Sequence, residues 1–242
     1  KSLLVTLRRA SGRNNRGRIT SRRRGGGHKR QYRLIDFRRR YDDVPAVVAS
    51  VEYDPYRTAN VALLHYENGR KSYILAPKGL VAGDRVVSGE QCEPTVGNCM
   101  PLSSIPLGMD LHCVELVPGE GGKLARSAGA TLRLGARDGT SATVIMPSGE
   151  TRRLHVHCRA TIGRVGNIDH SLVKIGKAGR NRWKGRRPKV RGSAMYPAAH
   201  PLGGGEGRAS PGRQPVSPWG KLAKGGKTRN PRKTSNRLII RG

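Results

Sequence analysis

The chain has 242 residues, a length that suits one large domain or two small domains with extensions. Its 47 Lys and Arg against 16 Asp and Glu give a formal net charge of +31, which argues against an enzyme with a neutral surface. Only 4% of the residues are aromatic and 33 are Gly, so long parts of the chain cannot bury enough apolar surface to become ordered without a partner.

The positive charge is concentrated at the two ends of the chain. Residues 1–40 contain 15 Lys and Arg with one acid, and residues 174–242 contain 19 with one acid. Residues 41–173 are almost neutral, with 13 basic and 14 acidic residues. Two cationic ends of this strength repel themselves and each other, so we expect a polyanion to neutralise them.

Short strands are predicted through the first half of the near-neutral middle. Apolar or alternating runs recur at residues 32–37, 44–53, 60–66, 71–75 and 83–87. The dipeptide Asn68-Gly69 predicts a hairpin turn between two of them. Five short strands in about 60 residues are typical of an OB-like barrel, a fold that often binds nucleic acid, with half of a β-sandwich as the alternative.

A second group of strands is predicted at residues 110–117, 130–134, 141–146 and 151–158, and it favours a small SH3-like barrel. The strand pattern then stops, and no apolar run returns until residues 238–240. The chain is therefore predicted to be all-β. Its expected parts are a basic N-terminal extension (1–31), an OB-like RNA-binding barrel (32–96), an SH3-like barrel (97–173) and a basic, irregular, Gly/Pro-rich C-terminal extension (174–242).

Neither a metal site nor a membrane segment is expected. No stretch approaches 18 consecutive apolar residues, so we predict no transmembrane helix and no membrane partner. The cysteines are too few for a disulfide framework, and no Cys-x-x-Cys pair exists. On an alternating strand His155 and His157 share one face and Cys158 the other, so the thiol is predicted in the core and the imidazoles at the rim. The Cys and His considered as zinc ligands are Cys92, Cys99, Cys113, Cys158, His112, His155 and His157.

Three glycine-rich basic stretches predict nucleic-acid binding. Residues 21–30 place three glycines between two cationic clusters, so the backbone can approach phosphates that the guanidinium groups bind. A flexible tail that binds any polyanion weakly explains this stretch equally well. Residues 176–192 combine eight basic residues with Trp183, whose ring can stack on a base or cap a barrel. Residues 195–208 contain a further run of three glycines, whose N–H groups can face phosphate or 2′-hydroxyl groups.

Seven ordered motifs span nearly the whole chain. They are Gly12-Arg-Asn-Asn15, Arg23-Arg-Gly-Gly-Gly-His-Lys-Arg30, Glu52-Tyr-Asp-Pro55, Tyr73-Ile-Leu-Ala-Pro-Lys-Gly79, Gly122-Lys-Leu-Ala-Arg-Ser-Ala-Gly129, Gly176-Lys-Ala-Gly179 and Gly203-Gly-Gly-Glu-Gly-Arg208. Together they resemble the family of large-subunit ribosomal protein two, in its bacterial and organellar form. The resemblance implies an OB-like barrel followed by an SH3-like barrel. It also implies a structural constituent of the large ribosomal subunit that binds rRNA directly near the peptidyl-transferase region.

The resemblance further implies roles in ribosome assembly and in subunit association during translation, and it does not imply an enzyme. The implied partners are large-subunit rRNA, other ribosomal proteins and the small subunit across the interface. No cofactor is implied apart from Mg²⁺ that accompanies rRNA.

The chain departs from the family in the pattern Met-Asn-Pro-Val-Asp-His-Pro-His-Gly-Gly-Gly-Glu. Tyr196, Ala198, Ala199 and Leu202 stand at its Asn, Val, Asp and second His positions. Such substitutions favour an organellar homologue, so we expect a mitochondrial ribosome in the matrix, with another organelle or the bacterial cytoplasm as alternatives.

His200 occupies the position of the first histidine of that pattern, which has been discussed in the family as a contributor to peptide-bond formation. Without the neighbouring Asp and the second His, no side chain of the pattern remains to orient the imidazole as a general base. We therefore predict that His200 contacts RNA and that the chain has no catalytic residue.

The predicted RNA contacts come from the three basic stretches, and two other functions are kept as alternatives. One is a metal-dependent nucleic-acid-processing hydrolase that uses the Cys and His residues, and the other is a general basic nucleic-acid binder. The predicted contact residues are Arg23, Arg24, His28, Lys29, Arg30, Arg182, Trp183, Arg186, Arg187, His200, Gly203, Gly204, Gly205 and Arg208.

Overall fold

The computed structural model describes residues 2–207 and 212–241, and in this part of the chain the fold is all-β, as predicted. Within these residues, helical structure is limited to α1 at Ala178–Trp183 and to 3-10 turns at Ile168–Leu172, Gly192–Ala194 and Thr234–Leu238. No helix in these described ranges is long and apolar enough to cross a bilayer. The strands are β1 (Leu4–Val5), β2 (Tyr32–Arg33), β3 (Ala46–Glu52), β4 (Val61–Tyr66), β5 (Lys71–Leu75), β6 (Arg85–Val86), β7 (Cys99–Pro101), β8 (Asp110–His112), β9 (Leu132–Asp138), β10 (Ser141–Ile145), β11 (Thr151–His155), β12 (Arg159–Ile162) and β13 (Ile239–Arg241).

The chain divides into two compact units. Unit 1 consists of Lys1–Leu7, Lys29–Lys174 and Thr234–Gly242, and unit 2 consists of Arg8–His28 and Ile175–Lys233. Both barrels lie in unit 1. Each segment of unit 2 is preceded and followed by a segment of unit 1. The chain therefore leaves unit 1 and returns to it twice, and each time a basic stretch lies in between.

The first barrel of unit 1 is an OB-like antiparallel sheet in the order β5-β4-β3-β6. The predicted hairpin joins β4 to β5, with Gly69 at a φ of 76°. A register shift between Val48 and Ser50 bends β3 and lets the sheet curl. Its inward-facing apolar side chains form the core, which includes Ala46, Val48, Ala62, Leu64, Ile74 and Val86.

The strand predicted at residues 32–37 is shorter than expected, because the side chain of Asp36 turns the chain. Its Oδ1 accepts hydrogen bonds from the amides of Arg38 (3.1 Å) and Arg39 (3.0 Å), and Oδ2 accepts one from Arg40 (3.1 Å). Beyond β2 only Ile35 pairs, in a parallel bridge with Tyr73. A run of apolar residues therefore ends at an Asx turn.

The second barrel is SH3-like and belongs to a seven-stranded sheet in the order β13-β11-β10-β9-β8-β12-β7. It contains the largest core of the molecule, with Met100, Leu111, Leu132, Leu134 and Val144 among its fully buried residues. Strands β7, β12 and β13 were not predicted. The first and last have only three residues each, and β12 begins at Arg159, immediately after the predicted run of residues 151–158 ends.

The strand predicted at residues 151–158 ends at His155, because the chain turns there. The amide of Cys158 donates to the carbonyl of His155 at 3.0 Å, and the amide of His157 donates to Nδ1 of the same histidine at 3.2 Å. Cys158 is fully buried, whereas neither histidine is buried. The prediction of a core thiol with rim imidazoles is confirmed.

Candidate nucleic-acid interface

Unit 2 combines a very high charge with almost no core. Its two segments contain 24 Lys and Arg and a single acid, Glu206, for a net charge of +23. Among its described residues only His200 and Val216 are buried, at 7% and 8% exposure. Apolar burial therefore stabilises this unit little, and hydrogen bonds of the backbone hold its segments together.

The two basic stretches on either side of the barrels pair with each other in unit 2. The amide of Gly25 donates to the carbonyl of Gly185 at 3.1 Å, and the amide of His28 donates to the carbonyl of Trp183 at 2.9 Å. Arg24 and Arg186 form an antiparallel bridge. Arginines that are far apart in the sequence thus become neighbours along two paired backbones.

Gly27 is required by this pairing. Its φ is +92°, and a Cβ there would lie 2.8 Å from the amide nitrogen of Gly185 and 2.9 Å from the carbonyl oxygen of Trp183. Gly26 next to it also has a positive φ, of +63°, but a Cβ would meet nothing within 4 Å. Of these two glycines, therefore, only Gly27 has its Cβ position occupied by protein backbone.

Arg9 closes the glycine-rich loop, and sequence analysis missed it. Its Nη1 donates to the carbonyls of Gly26 (3.3 Å) and Gly27 (3.0 Å), and its Nη2 donates to the carbonyl of His28. One guanidinium group therefore binds three successive carbonyls. The cluster of arginines in residues 8–24 was visible in the sequence, but nothing distinguished Arg9 from its neighbours.

His200 lies inside a tight turn. The amide of Leu202 donates to Nδ1 of its ring at 3.1 Å, and its own carbonyl accepts from the amide of Gly203 at 2.9 Å. A Cβ on Gly192 would lie 2.4 Å from Cε1 of the imidazole. A Cβ on Gly203 would lie 2.4 Å from the carbonyl oxygen of Met195. The glycines around His200 let the backbone close over the ring.

Trp183 is 57% exposed, and Nζ of Lys177 lies 4.7 Å from the centroid of its ring. The indole is therefore not a buried cap, and a cation contacts it, as expected for a ring available for stacking.

Unit 1 contributes a further group of arginines that stack on aromatic rings. Stacking fixes the plane of a guanidinium group while its N–H edge stays available to a phosphate. Of the three arginines given below, only Arg30 was predicted as an RNA contact, because the rings that the other two contact become their neighbours only in the tertiary structure. The contacts, from guanidinium carbon to ring centroid, are Arg30 on Tyr56 (4.7 Å), Arg57 on Tyr32 (5.8 Å) and on Phe37 (5.9 Å), and Arg126 on Phe37 (4.2 Å).

Protein groups also orient these three arginines. Nη1 of Arg30 donates to the carbonyl of Pro55 at 3.0 Å, and Nη1 of Arg126 donates to the carbonyl of Gly122 at 3.1 Å. Nε of Arg57 pairs at 2.6 Å with the carboxylate of Asp54, which is fully buried.

Two family models match the chain. Residues 1–88 match the Ribosomal Proteins L2, RNA binding N-terminal domain, and residues 95–220 match the Ribosomal Proteins L2, C-terminal domain. The chain belongs to the ribosomal protein L2 family. The L2 family is structural and binds RNA in the large ribosomal subunit, and it acts in translation.

The Cys and His residues of this L2 chain do not form a metal centre in the part of the chain that the structure describes. No group of three or more His, Cys, Asp or Glu in residues 2–207 and 212–241 could hold an ion, and the four thiols are unpaired. Burial raises the pKa of Cys113 to about 12 and that of Cys158 to about 11. Because a thiolate is the reactive form, protonated thiols of this kind are poor ligands and poor nucleophiles at neutral pH.

The predicted RNA-contact residues of the L2 chain differ in the unit to which they belong and in their exposure. Lys29 and Arg30 lie in unit 1, and the others that the structure describes lie in unit 2. His200 is buried, whereas Arg30 and Gly203 are half-buried. Arg208 lies outside the described residues. Exposed contacts are Arg23, Arg24, His28, Lys29, Arg182, Trp183, Arg186, Arg187, Gly204 and Gly205. Their contacts with RNA remain a prediction.

Proposed function

We propose that this L2 chain binds large-subunit rRNA directly near the peptidyl-transferase region and promotes assembly of the large subunit and its association with the small subunit. The main support is unit 2, where a net charge of +23 coexists with only two buried side chains among the described residues. A polyanion that neutralises these charges would stabilise the paired backbones of residues 23–28 and 183–187. Folding of unit 2 and binding of rRNA are then linked.

Hydrogen exchange tests this linkage. In the free protein we expect the amides of Gly25, His28 and Arg187 to exchange fast, while the core strands of unit 1 stay protected. Addition of an rRNA fragment from the peptidyl-transferase region should protect these amides. Equal protection of both units in the free protein would contradict the linkage.

Chemical footprinting of reconstituted large subunits tests the position. We expect rRNA near the peptidyl-transferase region to become protected when the protein is added, and sedimentation should show the protein with the large subunit after a high-salt wash. Protection confined to distant rRNA would contradict the proposed location, and protein that sediments apart from the particles would contradict the ribosomal role. Subunit association is measured in the same preparations, by the yield of joined ribosomes with and without the protein.

We propose that His200 has a structural and RNA-contacting role and takes no part in peptide-bond formation. The amide of Leu202 already donates a hydrogen bond to Nδ1, and Ala199 stands where the family pattern has an Asp.

We propose further that the protein binds no cofactor of its own and contacts Mg²⁺ only as an ion that accompanies rRNA. A mitochondrial matrix location rests on the substitutions between residues 196 and 202, and fractionation of the source cells tests it.

A further inference from the structure

Trp219 is an exposed indole for which sequence analysis provides no role. The chain has two tryptophans, and both lie in unit 2 outside any apolar core. Trp219 exposes 74% of its surface. Tryptophan is on average one of the more buried residue types, so an exposed indole in a basic, glycine-rich unit indicates a ligand with a flat apolar face.

A hydrogen-bonded turn carries this indole. The amide of Ser217 donates to the carbonyl of Lys221 at 2.7 Å, and Val216 pairs with Leu222 in an antiparallel bridge. Oγ of Ser217 accepts hydrogen bonds from the amides of Trp219 (3.3 Å) and Lys221 (3.2 Å). The side chain of Val216 is buried and anchors the hairpin. These contacts define one conformation of the tip, in which the indole stays exposed.

Arg22 from the first segment of unit 2 lies against this ring from the second segment. Its guanidinium carbon is 5.6 Å from the centroid of the Trp219 indole, within the range of a cation–π contact. The pair therefore offers a flat apolar surface with a positive charge over the ring. We propose that Trp219 and Arg22 form a stacking platform for one unpaired base of RNA.

The positive charge of unit 2 around Trp219 favours an unpaired nucleotide as the ligand. Unit 2 contains a single acid, Glu206, so its surface favours an anion. An unpaired nucleotide combines a planar ring with a phosphate, and the ring can stack on the indole while the guanidinium group binds the phosphate. Bases inside a duplex are already stacked on each other and offer no free face. The inference rests on the proposed RNA binding and adds a preference for unpaired nucleotides at one place.

Tryptophan fluorescence tests the platform directly. The variant Trp183→Phe leaves Trp219 as the only tryptophan, and because quenching and anisotropy are both measured on this variant, the comparison does not require its affinity to equal that of the unmodified protein. The probes are a hairpin RNA with a two-adenine bulge and the same hairpin without the bulge, and fluorescence anisotropy measures their binding independently. We expect the bulged RNA to quench Trp219 with the same Kd as the anisotropy change, and the continuous duplex to bind without quenching. Bulged RNA that binds without quenching would overturn the platform.

Affinities of variants provide the second test. Trp219→Ala should weaken binding of the bulged RNA by about 5- to 150-fold, the range for loss of one base–aromatic stack, and change binding of the duplex less than about twofold. Trp219→Tyr should retain most of the affinity, because its ring still stacks. Equal losses for both RNAs, or no loss for either, would overturn the inference. If the unmodified protein binds neither RNA, the proposed function itself fails, which distinguishes the two outcomes.

Discussion

The amide of Leu202 donates a 3.1 Å hydrogen bond to Nδ1 of His200, so this nitrogen bears no proton and the proton of the neutral ring is on Nε2. A general base needs a free lone pair that faces the substrate. In this ring one nitrogen is already an acceptor and the other bears hydrogen. Gly192 approaches the imidazole so closely that its missing Cβ would lie 2.6 Å from Nε2.

Replacement of His200 separates a structural role from a catalytic one. In His200→Asn the amide oxygen can take the place of Nδ1 as acceptor, so we expect near-normal affinity for rRNA and unchanged peptide-bond formation in reconstituted ribosomes. His200→Ala leaves the amide of Leu202 without its acceptor inside the turn and should lower the stability of unit 2 in the rRNA complex by about 1 to 3 kcal/mol. A loss of peptidyl transfer in both variants, with particles assembled normally, would show that the imidazole takes part in the chemistry.

Gly27→Ala should open the pairing between residues 23–28 and 183–187. The new methyl group would lie within 3 Å of backbone atoms of Trp183 and Gly185, so the paired backbones must move apart to accommodate it. We expect the amide of His28 to lose most of its exchange protection in the rRNA complex. Gly26→Ala is the matched control, because it adds the same methyl at a positive φ in open space and should cost only about 1 kcal/mol. Similar effects of both substitutions would refute the packing argument.

Arg57→Ala should destabilise unit 1. Its loss leaves the carboxylate of Asp54, which is fully buried, without its ion-pair partner at 2.6 Å. We expect a decrease of about 3 kcal/mol in the free energy of unfolding, measured with urea. Arg133→Ala removes an exposed pair with Asp110 at 3.8 Å and should change stability by less than about 0.5 kcal/mol. Equal effects of the two variants would contradict this account.

His112 should make unit 1 less stable in mild acid. It is buried and Nδ1 faces the carbonyl oxygen of Gly163 at 2.8 Å. Burial lowers its pKa from 6.5 to about 4. Between these values the unfolded chain binds a proton that the folded protein does not, so stability falls as the pH decreases from about 6.5 to about 4, by at most about 3 kcal/mol.

His112→Asn retains a donor near the position of Nδ1 and does not titrate. The urea midpoint of this variant should therefore vary less with pH across that window than the midpoint of the unmodified protein. Parallel pH curves for the two proteins would show that other groups cause the acid sensitivity.

Arg186→Ala should weaken binding of rRNA and reduce its dependence on salt. Arg186 is exposed and lies opposite Arg24 in the bridge between the two basic stretches. Loss of one phosphate contact lowers the slope of log affinity against log salt by about 0.7 to 0.9. The exposed Arg133 of unit 1 is again the control, and Arg133→Ala should leave the slope unchanged. An unchanged slope for Arg186→Ala would remove this residue from the contact set.

The class of fold and the kind of ligand could be predicted from the sequence, because both depend on local properties. Alternation of apolar residues and an Asn-Gly turn identify β5 at Lys71–Leu75 with its correct limits. The separation of charge into two ends indicates a polyanion wherever those ends lie. The strand pattern depends on neighbouring residues, and the net charge of each end is counted from the sequence. Neither inference depends on which distant parts of the chain contact each other.

Which distant residues contact each other is visible only in the folded protein. The sequence did not show that residues 23–28 pair with residues 183–187, that β13 joins the sheet beside β11, or that Arg57 contacts two aromatic rings. It also predicted His200 as an RNA contact without indicating that the ring is buried. These features depend on contacts between segments that are far apart in the sequence. The free energy of many such contacts outweighs local conformational preference, and the contacts leave no periodic pattern in the neighbouring residues.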